Sequence, residues 1–474
     1  MKAADFHTTA RLPFGDLGTV HFIGLGGAGM SAIARILLAR GVPVSGSDAR
    51  DSAVLRQLEA LGATVFVGHE AAHVAGADTV VVSTAIRPEN PELQAAAAAG
   101  LNIVHRSVAL AAAMEGKRLI AVGGTHGKTT TTAMATVMLQ AAGCEPSFAI
   151  GGDVAALGVN AAHGQGELFV AEADESDGSF LNYRPQVIVV TNVEADHLDH
   201  YGSAEAVYAS FDRFTALLPA DGTLVACLDD DGARALAERT AASGTAGRVL
   251  GYGYAADAQV RVEDTVFAGS GSTSRIEYPG GSCTLRLQVP GEHNIRNAAA
   301  ALAVAITQGL DPATAAEGLA GFTGAARRFE AKGTAAGVRV FDDYAHHPTE
   351  VHAALTAARK VAGGHAVHVL FQPHLFSRTR EFAAEFARAL QLADSVAVLD
   401  VYASREDPIP GVTSELITGR LAPGSYAPDP GQAVRDIVAR SRPGDIVLTV
   451  GAGDVTQYGP VLVEALGQAA AAAR

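Results

Sequence analysis

Residues 117 to 133 read KRLIAVGGTHGKTTTTA, and within them Gly124-Thr125-His126-Gly127-Lys128-Thr129-Thr130 has the residue types of a phosphate cradle. Glycines let backbone N–H groups turn inward, Lys128 supplies a point charge, and Thr129 offers a hydroxyl for Mg²⁺. Val122 stands where the longer P-loop pattern has its first glycine, so this loop is one residue tighter. A turn that merely joined a strand to a helix would not predict a Lys-Thr pair directly after the glycine. Two acidic segments accompany the cradle. Glu172-Ala173-Asp174-Glu175-Ser176-Asp177 and Thr191-Asn192-Val193-Glu194-Ala195-Asp196-His197-Leu198-Asp199 each follow a short apolar run, and their carboxylates and His197 are of the type that holds Mg²⁺ on phosphates.

A second glycine turn lies near the start. Gly24, Gly26 and Gly29 form G-x-G-x-x-G between an apolar strand and a helical stretch, with Asp48 at the end of the next strand. Alone, this pattern would point to a dinucleotide dehydrogenase. It reports only close approach of backbone to a pyrophosphate, however, and a dehydrogenase has no need of the cradle at Lys128.

These residues require parallel strands to aim them. Strands are predicted at 20–23, 42–45, 65–67, 79–83 and 102–104 in a first segment, residues 1–113. A second segment, 114–325, has strands at 118–122, 168–171 and 187–190 and Gly/Ser/Thr-rich antiparallel structure over 255–290. A third, 326–474, has strands at 338–342, 366–371, 395–401 and 446–450. The expectation is α/β: three domains, each on a mainly parallel open sheet, with a Rossmann-like first domain, a central P-loop domain that binds nucleotide phosphate and a Rossmann-like third domain.

The 474 residues exceed one hydrophobic core, and 48% hydrophobic with 18% charged residues is an ordinary globular balance. A net charge of −15 argues against a nucleic-acid partner. Cys144, Cys227 and Cys283 make neither a metal motif nor a disulfide framework, and no signal-peptide core or membrane-length apolar run is present. A cytoplasmic protein without membrane insertion is expected, as a monomer or weak homodimer.

GTHGKTTT, EADESDGSF, TNVEADHLDHYG, GEHNIRNAAAA, RRFE, DDYAHHPTE and FQPHLFSRTR, in that order and spanning essentially the whole chain, resemble the Mur ligases. The resemblance implies a UDP-binding domain, a central ATPase domain and a C-terminal domain that closes over the site. It also implies a two-step ligation, in which ATP converts a substrate carboxylate to an acyl phosphate that an amine then attacks. The opening GLGGAGMSAIA, DDYAHHPTE and the QPH and SRT of FQPHLFSRTR favour the branch that joins L-alanine to UDP-N-acetylmuramate. The alternative is the murein peptide ligase, which joins a recycled peptide to the same UDP-sugar. A folylpolyglutamate synthetase is disfavoured by the first domain. A silent nucleotide-binding regulator is disfavoured by Lys128, Thr129, Glu172 and His197 together.

The resemblance also implies residue roles. Lys128, Glu172, His197 and Arg327 would be catalytic, and Thr129, Glu172 and His197 would hold two Mg²⁺ ions, with Mn²⁺ as a substitute. ATP would contact Gly124 to Thr130 (Gly124, Thr125, His126, Gly127, Lys128, Thr129, Thr130), with His293, Asn294 and Asn297 near the adenine and Arg327 and Asp343 reaching the γ-phosphate and ribose. The UDP-sugar would lie on Gly26, Gly27, Ala28, Gly29 and Met30, with Asp48, His69, Ser83, Arg106 and Asn192. L-alanine would meet Tyr344, His346, His347, Arg378 and Arg380, the arginines gripping its carboxylate. Two departures stand out. Tyr208 to Phe214 lacks the lysine that some sister ligases carbamylate to prop a metal, and Leu375 stands where some relatives have arginine.

Overall fold

The computed structural model describes residues 11–404, 406–422 and 425–472. The described chain forms two compact units. One comprises residues 11–263, 275–284 and 296–319; the other comprises 264–274, 285–295 and 320–472.

Within the first unit, β1 (Val20–Ile23), β2 (Val44–Asp48), β3 (Thr64–Val67), β4 (Thr79–Val82) and β5 (Asn102–His105) form one sheet in the order β3-β2-β1-β4-β5. All its pairings are parallel. β1 and β4 are buried along their whole length and are mostly apolar, with His21 and Thr79 as their buried polar members. The order reverses between β1 and β4, and a ligand crevice is expected outside the carboxyl ends of such strands.

The same unit holds β6 (Arg118–Gly123), β7 (Ser147–Ala149), β8 (Ala161–Ala162), β9 (Leu168–Glu172), β10 (Pro185–Val190), β11 (Thr223–Cys227) and β12 (Arg248–Gly253), ordered β12-β11-β10-β6-β9-β7-β8. β6 lies between β10 and β9, so the carboxyl ends of the three strands stand side by side. Three further strands follow, β13 (Val260–Ala268), β14 (Gly271–Tyr278) and β15 (Gly281–Leu287), and β14 alternates between buried and less buried residues as expected of a half-exposed strand. Sequence reading missed β7, β8, β11 and β12. β7 and β8 are too short to show a period, and β12 carries two glycines.

In the second unit, β16 (Glu330–Ala335), β17 (Val338–Asp343), β18 (Val367–Phe371), β19 (Ser395–Val398) and β20 (Ile446–Val450) are ordered β16-β17-β20-β18-β19. Only β16 is antiparallel. Val351, Leu355, Phe386 and Leu390 pack into a core with Val369 and Leu448, while Val434, Ile437, Leu462 and Leu466 pack with Val340 and Val447. Each such fully buried side chain contributes about 1.5–3 kcal/mol. β16 escaped sequence reading because EAKGTA is a polar edge strand without an apolar run. Among the described residues no helix is long and apolar enough to cross a membrane.

Candidate active site

β6 delivers the chain to Gly124, whose φ is +131°. A Cβ there would lie 2.1 Å from Thr191 Oγ1 and 3.0 Å from the Asn192 carbonyl, so both conformation and space demand glycine. After Gly127, at φ +81°, the helix Lys128–Ala141 begins with no side-chain cap. The helix Ala28–Ala39 after the first glycine turn begins the same way. By contrast, helices beginning at Ala53, Pro91, Ala204 and Asp231 are capped by Ser52, Asn90, Ser203 and Asp230. Helix starts whose first N–H groups no side chain claims are what a phosphate site requires.

Three strand ends converge on this loop. After β10, Asn192 Oδ1 accepts from the His126 N–H at 2.7 Å, and its Nδ2 donates to the His126 carbonyl at 3.1 Å. The Thr191 hydroxyl donates to that carbonyl at 2.5 Å. Both ends of the Asn192 amide, expected at the UDP-sugar, are therefore used in shaping the Gly124–Thr130 loop. At the end of β9, the Thr129 hydroxyl faces both oxygens of Glu172 at 3.0 and 3.1 Å, and the Gly151 N–H donates to Glu172 at 2.7 Å. Lys128 Nζ donates to the carbonyls of Gly124 and Thr125 at 2.7 and 3.1 Å and to Glu175 Oε1 at 2.8 Å. His197, at φ +55°, holds its Nε2 3.8 Å from Glu175 Oε1 and 3.7 Å from Asp196 Oδ2. Asn297 lies against Gly127, where a Cβ would come within 3.0 Å of its Oδ1. Thr125 and Thr130 are buried beside the cradle.

The site is a compact block of opposed charge. Burial disfavours the charged lysine, yet the carboxylates of Glu175, Glu172 and Asp174 outweigh it and raise the Lys128 pKa above its usual 10.5. Burial pushes Glu175 up to about 7, with the charge of Asp174 adding and that of Lys128 opposing. Asp174 is lowered: burial opposes its charge, but Arg106 and Lys128 prevail. Arg106 donates to Asp174 at 2.8 Å and lies 3.6 Å from Asp177, and its Nη1 would be 3.5 Å from a Cβ on Gly29. It thus links the acidic segment after β9 to the first glycine turn.

At that turn Gly27 and Ala28 are exposed and Met30 is buried. The Gly26 N–H donates to Asp48 Oδ2 at 2.9 Å. His69, just past β3, shares its Nδ1 between Ser47 Oγ at 3.0 Å and Glu92 Oε2 at 3.2 Å, and Ser83 is half-buried after β4. Glu92, fully buried, also takes His73 Nδ1 at 2.7 Å and the Ser47 hydroxyl at 2.6 Å. Burial alone would raise its pKa, but His21, 3.8 Å away, and the hydrogen bonds from Ser47 and His73 hold it at about 2.

The carboxyl ends of β17, β18 and β20 in the second unit gather a separate cluster. Arg327, at φ +57°, donates to the Gly451 and Gly453 carbonyls at 2.7 and 3.0 Å and lies 4.7 Å over the Tyr344 ring. Asp343 accepts from the Phe329 and Ala345 N–H groups at 2.9 and 2.8 Å, and burial pushes it up to about 6. His346 lies between Tyr344 and His374, with ring centroids at 5.3 and 5.9 Å, and burial lowers its pKa to about 3, helped by the nearby charges of Arg378 and His374. His347 is buried 5.0 Å from the Phe382 ring. Arg378 is buried and Arg380 exposed on the helix Phe376–Leu390, as their two-residue spacing, about 200° around a helix, requires. His293 packs on Gly291, and Asn294 Nδ2 donates to the Pro290 carbonyl at 2.7 Å, a helix-start role.

Sequence reading named Asp174 and Glu175 as members of an acidic run able to hold Mg²⁺ but missed their pairing with Arg106 and Lys128, and it missed Glu92, and His374 with Tyr402, which stacks on it at 5.8 Å. The spacing of Glu172 and Glu175 in one acidic run was the available signal for Glu175. Nothing in sequence marked Glu92, which stands in an alanine-rich helix.

Family models match the chain in three consecutive blocks: the Mur ligase family catalytic domain over residues 19–118, the Mur ligase middle domain over 122–305, and the Mur ligase glutamate ligase domain over 327–453. The chain belongs to the Mur ligase family. It is 62% identical over 460 residues to the UDP-N-acetylmuramate–L-alanine ligase of Paenarthrobacter aurescens, covering 97% of this chain and 100% of that protein. Its structure resembles the UDP-N-acetylmuramate–alanine ligase of Thermotoga maritima, with a TM-score of 0.77 at 28% identity, covering 96% and 100% of the two chains. A murein peptide ligase from Psychrobacter arcticus gives 0.69 at 26%, covering 95% and 99%.

Proposed function

We propose that this protein joins L-alanine to the carboxylate of UDP-N-acetylmuramate, with cleavage of ATP to ADP and phosphate, in the synthesis of peptidoglycan precursors. The observation that carries the reading is the Lys128–Thr129–Glu172 constellation on an uncapped helix start, in a chain 62% identical to a ligase of that name. ATP and UDP-sugar are cytoplasmic compounds, and the protein would work there.

A carboxylate is a poor acyl donor, and its phosphorylation creates the leaving group that an amine can displace. The loop N–H groups and Lys128 would bind the β/γ-phosphates and balance charge that spreads over the transferring phosphoryl group. The hydroxyl of Thr129 and the carboxylate of Glu172 are the hard oxygen donors Mg²⁺ favours, and with His197 they would hold the metal, which supplies charge neutralisation to the phosphates. Asn192 and Thr191 fix the His126 backbone and hence the loop's curvature. The Gly26–Gly29 turn, with Asp48 and His69, would take the UDP-sugar. Tyr344, His346, His347 and Arg378 would form the amino-acid pocket, with Arg380 exposed beside it. Arg327 and Asp343 would meet ATP from the third domain, with domain limits at 113/114 and 325/326.

Phosphate release from Mg·ATP and UDP-N-acetylmuramate, measured with L-alanine, glycine, L-serine and L-alanyl-γ-D-glutamyl-meso-diaminopimelate in turn, tests the reading. Turnover that requires both the UDP-sugar and L-alanine is expected. Turnover with the tripeptide and not with L-alanine would move the assignment to peptide ligation.

A further inference from the structure

Lys128 has three N–H bonds, and each has an acceptor: the carbonyls of Gly124 and Thr125 and the Oε1 of Glu175. A phosphate can reach this ammonium only by displacing one of the three. The two carbonyls belong to the loop's own main chain, whose course is set by Gly124, Asn192 and Thr191. The carboxylate of Glu175 is the acceptor free to yield. Its side chain is 2% exposed, and its Oε2 is buried and accepts no hydrogen bond from any described residue. Among the described residues the carboxylate's side-chain contacts are Lys128 and the more distant His197, whereas the backbone beneath is pinned by the Tyr201 hydroxyl, which donates to the Glu175 carbonyl at 2.5 Å. Glu172, three residues earlier, is engaged by Thr129 and Gly151, so the two carboxylates of one acidic run act on different parts of the cradle.

We propose that Glu175 is a positioning residue that holds Lys128 at the mouth of the loop and yields it to nucleotide phosphate, thereby setting how tightly ATP and ADP are held. The inference rests on the ATP-binding reading given above. Surrendering the lysine leaves a buried carboxylate short of its countercharge, a cost that weakens nucleotide binding and speeds release of ADP.

Calorimetric titration of the full chain with Mg-free ADP, and separately with UDP-N-acetylmuramate, tests this in wild type, Glu175→Gln and Glu175→Asp. Both variants are expected to bind ADP about ten-fold more tightly, the scale of one charge-assisted hydrogen bond, with UDP-sugar affinity unchanged. In turnover, kcat should fall while the KM for ATP also falls, because the product leaves slowly. Unchanged or weaker ADP binding in both variants overturns the proposal. Tightening in Glu175→Gln alone also overturns it, because Glu175→Asp keeps the charge and shortens only the reach, leaving simple repulsion as the cause. Failure of the wild type to bind ADP would instead remove the ATP reading, and this inference with it. Should the variants not fold, a wild-type structure with ADP decides: Lys128 Nζ on a phosphate oxygen and beyond reach of Glu175 is expected, and retention of the Glu175 contact with phosphate bound overturns the proposal.

Discussion

At the scale of single residues, the chemistry rests on charges held where water cannot screen them. Lys128→Ala removes the ammonium that balances phosphoryl charge, and kcat should fall by about 10²–10³ or more, measured as phosphate release, with some loss of melting temperature because Glu175 is left buried without its partner. The two arginines of SRTR separate by geometry. Arg378→Lys, at the buried position near His346, should raise the KM for L-alanine about ten-fold, because lysine cannot present a planar fork. Arg380→Ala, at the exposed position, should raise it less than about three-fold, in line with a solvent-screened charge. Equal effects at the two positions would show that the pocket is built from a different face of the helix. The residue types were legible in sequence for Lys128, Thr129, Glu172 and His197, whose chemistry depends on local order along the chain. The partners of Glu175 and Glu92 were not legible, because they come from residues up to 71 positions away, such as His21.

At the scale of elements, what matters is how a strand hands the chain to a helix. β6 runs apolar and buried to Gly123, and Gly124 turns it at a φ that other residues rarely adopt. Gly124→Ala adds a methyl 2.1 Å from the Thr191 hydroxyl in an unfavourable backbone conformation. The variant should lose about 2–4 kcal/mol of stability by denaturant titration and lose ATP binding as well. These turns were readable because glycine spacing reports backbone conformation directly. β11, β12 and β16 were not, because short runs interrupted by glycine or made of polar residues become strands only through the neighbours that pair with them.

At the scale of the molecule, stability and pH are joined through Glu92. This carboxylate lies under the first sheet with His21, His69, His73 and Ser47, and in the folded protein its pKa falls from the usual 4.5 to about 2. A depressed acid stabilises the fold fully above its unfolded value and loses that contribution as pH falls through the folded value. The stability difference between wild type and Glu92→Gln, followed by urea titration, should therefore shrink as the pH falls from about 4.5 toward 2. A difference independent of pH over that window would mean that the carboxylate is held by packing and not by its charge.

By itself the sequence determined the family, the α/β class, the two glycine turns and the strand–loop–helix course of the Lys128 segment, because each depends on residue types at fixed local spacing. Apolar runs specify buried parallel strands, and glycines specify the turns that end them. Tertiary structure alone decided which polar atoms meet. It put both ends of the Asn192 amide on His126, Glu175 on Lys128, Arg106 between Asp174 and Gly29, and Arg378 inward with Arg380 outward. The reason is physical: a hydrogen bond or ion pair needs its partners within about 3–4 Å, and only the closing of the sheets brings residues distant in the chain that near.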